Sequence, residues 1–183
     1  MSYLWPQVLL VAALAAVVAL LVASPGSAST LTAFEGTFQN ISSVTTRIRH
    51  ADGDTFMSQT VQAMYAGDFS GPVVEHIDLV IHPDGTFKFR GVDVCTCTLA
   101  GTGLSGTIRL PFAGTGDASG AASGHFTIGG GTDGLANIAG FGTFESADGG
   151  SSGPFSGVYR FDPSSAEGGR LTAASKIHGK RVA

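Results

Sequence analysis

The sequence predicts an all-β fold, a closed antiparallel barrel of about eight strands, preceded by an N-terminal hydrophobic export helix. Gly occurs 27 times and Phe 12 times among 183 residues, while charged residues make up only 13%. Short runs of alternating apolar and polar residues follow one another at even spacing, separated by Gly, Asp, Ser and Pro turns. Evenly spaced strands joined by turns favour a meander that closes on itself, because closure removes exposed strand edges. The 43% hydrophobic content excludes a disordered chain.

The first element is the export segment. Val8–Ala23 is an apolar run without a charge, and Pro25 then breaks it before small residues. This length suits a signal-peptide core, and we expect residues 1–28 to form a signal peptide cleaved after Ala28. No Lys or Arg precedes the run, and its extension back to Leu4 is long enough to span a bilayer, so an uncleaved membrane anchor is the alternative. In both cases the rest of the chain is expected to be secreted or extracytoplasmic.

The strands that follow are recognised by alternation. In one of them, Phe87 and Phe89 alternate with Lys88 and Arg90, so the aromatic and the charged side chains are expected on opposite faces of the strand. This is the pattern of a strand with one buried face. We expect eight or nine strands within a barrel domain of residues 31–162, over Leu31–Asn40, Val44–His50, Phe56–Ser70, Val73–His82, Thr86–Leu99, Gly106–Ala113, Ser123–Ile128, Gly140–Glu145 and Pro154–Asp162.

Two connections between strands carry their own signals. The sequence His82-Pro83-Asp84-Gly85 predicts a hairpin turn, since Pro presets φ and Gly accepts positive φ. The Gly129–Gly140 segment is the single interruption of the strand pattern, and Thr132–Asn137 within it is expected to form one helical turn.

Residues 163–183 form the last segment, predicted to be a flexible basic tail. They carry four Lys or Arg and one acid, a net charge of +3, so the chain's net −4 leaves −7 for the rest. Because the rest of the chain has a net negative charge, its electrostatics do not favour binding to nucleic acid. Contact with a membrane is expected only through the N-terminal segment, if it is uncleaved.

The turns and glycines resemble those of the bacterial allene oxide cyclase-like β-barrel group, which includes small secreted domains of unknown function. The resemblance covers residues 34–162 and is carried by Ile81–Phe87, Leu104–Thr107, Gly114–Asp117 and Gly131–Phe144. It implies an eight-stranded, lipocalin-sized barrel whose mouth leads to an apolar cavity. No catalytic residue of that group aligns with this sequence, so the resemblance implies the barrel and not the activity.

Glu75 is the candidate catalytic residue. It has inward parity: it is separated by an even number of residues from Val73, Ile77 and Leu79, so all four side chains are expected to point into the barrel. An inward carboxylate loses hydration, which raises its pKa and suits it to acid–base chemistry. The alternative is a position at the rim of the barrel, where Glu75 would be solvated.

Asp93, Cys95 and Cys97 share the parity of Phe89 if Gly91 does not form a bulge. Asp93 is then a candidate ligand-binding residue, and the cysteines form a local disulfide, remain free thiols or bridge to another chain. Two thiols without a His at ligand spacing make an incomplete metal site, so we expect no metal. No cofactor is indicated.

Tyr65 and Tyr159 have inward parity, and their hydroxyl groups are candidate ligand contacts; simple core packing is the alternative.

Three functions remain open at this point. The first is binding of a small hydrophobic ligand inside the barrel. The second is a cyclase or isomerase acting on a lipid-like or polyketide-like substrate, and the third is a filled structural domain that acts through its surface.

Overall fold

The computed structural model describes residues 30–162, which form an all-β fold of eight antiparallel strands. Each strand pairs with the next, and the last pairs with the first, so the ring closes into a barrel. The strands are β1 Thr32–Ala51, β2 Asp54–Gly67, β3 Phe69–Ile81, β4 Phe87–Leu99, β5 Leu104–Gly116, β6 Ala122–Ile128, β7 Ile138–Ser146 and β8 Ser152–Phe161.

The predicted export segment and basic tail lie outside the described residues. Within residues 30–162, no helix is long and apolar enough to cross a membrane.

The division of the first two sheet segments into strands differs from the sequence prediction. The two strands expected between Leu31 and His50 are one continuous β1, because two irregularities in its pairing with β2, after Asn40 and after Thr45, absorb the break in alternation. The run expected over Phe56–Ser70 is divided instead at Gly67, whose φ of 122° ends β2 before β3 begins.

The strands are of unequal length, which gives the barrel an open end. β1 pairs with β8 only over Thr32–Gln39, and its second half pairs with β2 alone. That second half extends past the ring, so Ile41 and Val44 are 65% and 64% exposed. We call this side, with the β1–β2, β3–β4, β5–β6 and β7–β8 turns, the open end.

The opposite side, the closed end, is covered by the loop between β6 and β7. This loop contains the 3₁₀ turn Asp133–Leu135, and Leu135 is fully buried. Hydrogen bonds attach the loop to β5; among them, Thr132 N donates to Thr107 O at 3.0 Å, and Thr107 N donates to Thr132 Oγ1 at 3.1 Å. The helical turn expected within Thr132–Asn137 is therefore present, and it closes one end of the barrel.

Inward-facing phenylalanines and glycines are paired across the strands. Each of seven Phe residues lies directly opposite a Gly of the neighbouring strand, and a methyl group on that Gly would overlap the ring. The rings therefore lie against the barrel wall, over the glycines, as aromatic side chains do when they cover a strand Gly. The pairs are Phe34–Gly157, Phe155–Gly36, Phe87–Gly116, Phe89–Gly114, Phe112–Gly91, Phe126–Gly142 and Phe144–Gly124.

Candidate functional site

The barrel encloses a cavity of about 430 Å³ that extends to the open end. Nine of the 12 Phe residues line it, together with Val, Ile, Leu and Ala side chains. Its mouth is formed by Asn40–Ser43 of β1 and by Gly149–Ser151 of the β7–β8 turn. Asn40 joins these two edges, since its Nδ2 donates to Gly150 O at 2.8 Å. The volume lies in the range of about 300–1,000 Å³ that is usual for small-molecule sites.

Three polar side chains meet on one wall of this cavity. Glu75 of β3 and Asp93 of β4 are directly opposite each other in the strand pairing, and both line the cavity. The Tyr65 hydroxyl of β2 donates a hydrogen bond to Asp93 Oδ2. The pairing of β4 continues through Gly91 without a shift on both sides, which keeps Asp93 on the inward face.

Burial changes the acidity of all three groups. Desolvation raises the pKa of Glu75 to about 8, with a further contribution from the nearby charge of Asp93. Desolvation also raises the pKa of Asp93 to about 6, against the opposing effect of the Tyr65 hydrogen bond. The pKa of Tyr65 is raised by burial and by both carboxylates. Near neutral pH the two carboxyl groups therefore hold about one proton between them.

One oxygen of this cluster has no hydrogen-bond partner in the part of the chain that the structure describes. Asp93 is 8% exposed, and its Oδ1 is buried without a hydrogen bond, although Oδ2 accepts from Tyr65. Buried acceptors are normally satisfied, so an unpaired oxygen on a residue that lines a cavity marks a place where a hydrogen-bond donor from a ligand would be stabilising.

Comparisons with known proteins identify the family. A family model described as "Protein of unknown function (DUF3224)" matches residues 34–156. The chain belongs to this family. A crystal structure of a DUF3224 protein of unknown function from Shewanella oneidensis MR-1 is similar in fold, with a TM-score of 0.60 and 14% identity over 73% of this chain and 100% of that chain. No curated protein matches.

Membership in DUF3224 agrees with the expectation of a small domain of unknown function. Neither match links the chain to the allene oxide cyclase-like group that its turns resemble. At 14% identity the solved structure supports the fold alone.

The DUF3224 barrel brings together three of the residues singled out from sequence and separates the others. Glu75, Asp93 and Tyr65 form the cluster just described. Tyr159 does not line the cavity: its ring packs 5.7 Å from the ring of Phe69 and 5.9 Å from that of Phe161.

Cys95 and Cys97 are bonded to each other, with their Cα atoms 5.3 Å apart. Both are buried near the closed end and neither lines the cavity. Among residues 30–162, no group of three or more His, Cys, Asp or Glu side chains is placed to hold a metal ion.

Sequence reasoning missed two parts of the site. Gln59 lines the cavity, and its alternation with Val61, Ala63 and Tyr65 on β2 was the signal that would have shown it. Asn40 and Ser146 at the mouth were also missed, because they become neighbours only when β1 meets the β7–β8 turn.

Proposed function

We propose that this DUF3224 barrel binds a small, largely apolar molecule in its interior cavity. The observation that carries the proposal is the 430 Å³ cavity with nine phenylalanines on its walls and an opening at one end. Burying an apolar molecule there removes its surface from water, at about 25 cal/mol per Å² of apolar area. The resemblance to lipocalin-sized barrels with an apolar cavity supports the same function.

The uncharged apolar run Val8–Ala23 supports a second part of the proposal, that the protein acts outside the cytoplasm. A barrel exported in this way would meet its ligand in the extracytoplasmic space.

A neutral fluorescent probe, N-phenyl-1-naphthylamine, tests whether the cavity accepts apolar molecules. We expect saturable binding with enhanced emission, and loss of binding when the cavity is filled by Ala63→Phe or Ala122→Phe. Both alanines line the cavity, and they lie on different strands, so the two variants fill it independently. Ala33→Phe is the control, because Ala33 is exposed on β1.

Circular dichroism shows which variants keep the β fold. Absence of probe binding to the unsubstituted protein would contradict the proposal. So would unchanged binding in both filled variants.

A second candidate function is proton-transfer isomerisation, which the carboxyl pair favours. One carboxylate can accept a proton from a substrate carbon while the protonated partner donates one to another carbon, and no co-reactant is needed. Conversion of a β,γ-unsaturated ketone to its conjugated isomer, followed by ultraviolet absorbance, tests this function. Activity that is absent, or that survives Glu75→Gln, would reject it.

A further inference from the structure

The polar wall of the cavity has a chemical character that narrows the choice of ligand. We propose that the ligand carries a protonated amine, and that Glu75 and Asp93 bind this ammonium group while the phenylalanines surround the apolar body. This inference rests on the proposed function and adds the class of ligand.

The hydrogen bonds of Asp93 are the first argument. Its Oδ2 is occupied by the Tyr65 hydroxyl, and its buried Oδ1 has no partner. Only a group that donates a hydrogen bond can satisfy this oxygen. An ammonium carries up to three donors, so it can reach Asp93 and the adjacent Glu75 together.

The charge of the cavity is the second argument. Among the residues that line it, all of which the structure describes, none is Lys, Arg or His. The acidic pair therefore has no cation of its own, and its two carboxyl groups share a proton instead of ionising fully. An ammonium can take the place of that proton and leave the net charge of the site unchanged, whereas a carboxylate head group would be repelled.

The aromatic walls are the third argument. The faces of aromatic rings attract cations, and aromatic rings are used in proteins to recognise ammonium groups. The ring of Tyr65, which contacts Asp93, lies 5.0 Å from the ring of Phe155. Acid and aromatic surface are therefore adjacent within one cavity.

The affinity for an amine is expected to depend on pH. Within residues 30–162, the titratable groups facing Glu75 are Asp93 on β4 and Tyr65 on β2, and no basic side chain lines the cavity. As the pH rises from about 6 to about 8, the pair loses its shared proton and becomes a better partner for an ammonium, which stays charged because its own pKa is about 10.

Three ligands of equal chain length test the proposal: decylamine, decanol and decanoate, each measured by displacement of N-phenyl-1-naphthylamine near pH 8. We expect decylamine to bind at least about tenfold more tightly than decanol, and decanoate to bind more weakly than decanol. Calorimetry of decylamine binding near pH 7 in two buffers of different ionisation enthalpy should show release of up to about one proton.

Substitutions at the carboxyl pair test whether Glu75 and Asp93 cause the preference for decylamine over decanol. Asp93→Asn and Glu75→Gln should each remove most of the preference for decylamine over decanol, while both keep binding the neutral probe. The matched control is Glu145→Gln, since Glu145 is exposed on β7 outside the cavity, and this variant should keep the preference.

The outcomes separate this inference from the proposed function. If neither the probe nor decanol binds, the proposed function fails, and the inference fails with it. If both bind but decylamine binds no better than decanol, the ammonium proposal alone is overturned. A preference that Glu145→Gln removes and Asp93→Asn leaves intact would also overturn it, since the amine would then bind at the acidic surface.

Discussion

The two ends of this barrel are built from the same alternating strands but pack differently. At the closed end, Leu135, Ile138 and Leu99 are almost completely buried, and a disulfide joins Cys95 to Cys97. At the open end the inward side chains line a cavity, and the second half of β1 extends into solvent. Inward parity is the same in both regions, so it does not by itself distinguish a packed core from a cavity wall.

The difference comes from what covers the strands. At the closed end, the β6–β7 loop inserts Leu135 between the strands and excludes water. At the open end no equivalent plug is present among residues 30–162, and phenylalanine rings lie over glycines instead of filling the barrel axis. Nine large aromatic residues can therefore line a cavity without filling it.

Truncation of a leucine at each end should give the largest contrast in stability. Leu135→Ala removes a fully buried side chain, and we expect a loss of about 2–5 kcal/mol in the free energy of unfolding. Leu79→Ala, in a partly exposed wall of the cavity, should cost less than about 1.5 kcal/mol, because little packing is lost there. Urea denaturation measures both values. Equal losses would show that the cavity end is packed as tightly as the closed end.

A methyl group at a paired glycine should have the next largest effect. Gly142→Ala places Cβ against the Phe126 ring and Ser156 O, and overpacking of this kind costs about 1–3 kcal/mol. The control is Gly129→Ala, whose Cβ would have its nearest neighbour, Arg109 O, at 3.6 Å, so it should change stability by less than about 0.5 kcal/mol. Thermal denaturation of the two variants tests whether the rings require glycine beneath them.

The carboxyl pair should make the stability of the barrel depend on pH. The folded pKa of Glu75 is raised from 4.5 to about 8 and that of Asp93 from 3.8 to about 6. Between these limits the folded state binds more protons than the unfolded state, so stability should fall as the pH rises from about 5 to about 8.5. Three surface carboxylates have lowered pKa values, so their contribution to folding stability is lost only below about pH 4, outside the range of about pH 5 to 8.5. They are Asp84, Asp117 and Asp148.

Melting temperatures across this pH range test the effect, which should amount to a few degrees. Glu75→Gln should flatten the dependence, because glutamine does not ionise, and Glu145→Gln should leave it unchanged. A melting temperature that rises between about pH 5 and about pH 8.5 would contradict a buried, proton-sharing pair.

Substitution on the exposed part of β1 should have the smallest effect. Val44 and Ile48 are 64% and 56% exposed, so Val44→Thr or Ile48→Thr should change stability by less than about 0.5 kcal/mol. Equilibrium unfolding, with the molar mass determined by light scattering, tests this. A larger loss accompanied by a decrease in molar mass would show that a second copy covers this strand in solution.

The fold class and the inward-facing positions of the strands can be predicted from local sequence patterns. Alternation in β3 and β4 placed Glu75 and Asp93 on the interior face, and the turn at His82–Gly85 determined how these strands pair. Parity follows from the two-residue repeat of a strand, which is a local property. It could not separate Tyr65, which joins the carboxyl pair, from Tyr159, which packs among aromatic rings away from the cavity.

Contacts between strands distant in the chain decide which inward residues pack into a core and which line the cavity. A filled structural domain was one of the three functions left open by the sequence, yet a cavity of about 430 Å³ remains, because the positions of seven phenylalanine rings depend on the Gly opposite them in a neighbouring strand. The same holds for the unpaired Oδ1 of Asp93, whose environment is set by β2, β3 and β4 together. Volume and hydrogen-bond satisfaction depend on contacts between distant parts of the chain, and a local pattern does not contain them.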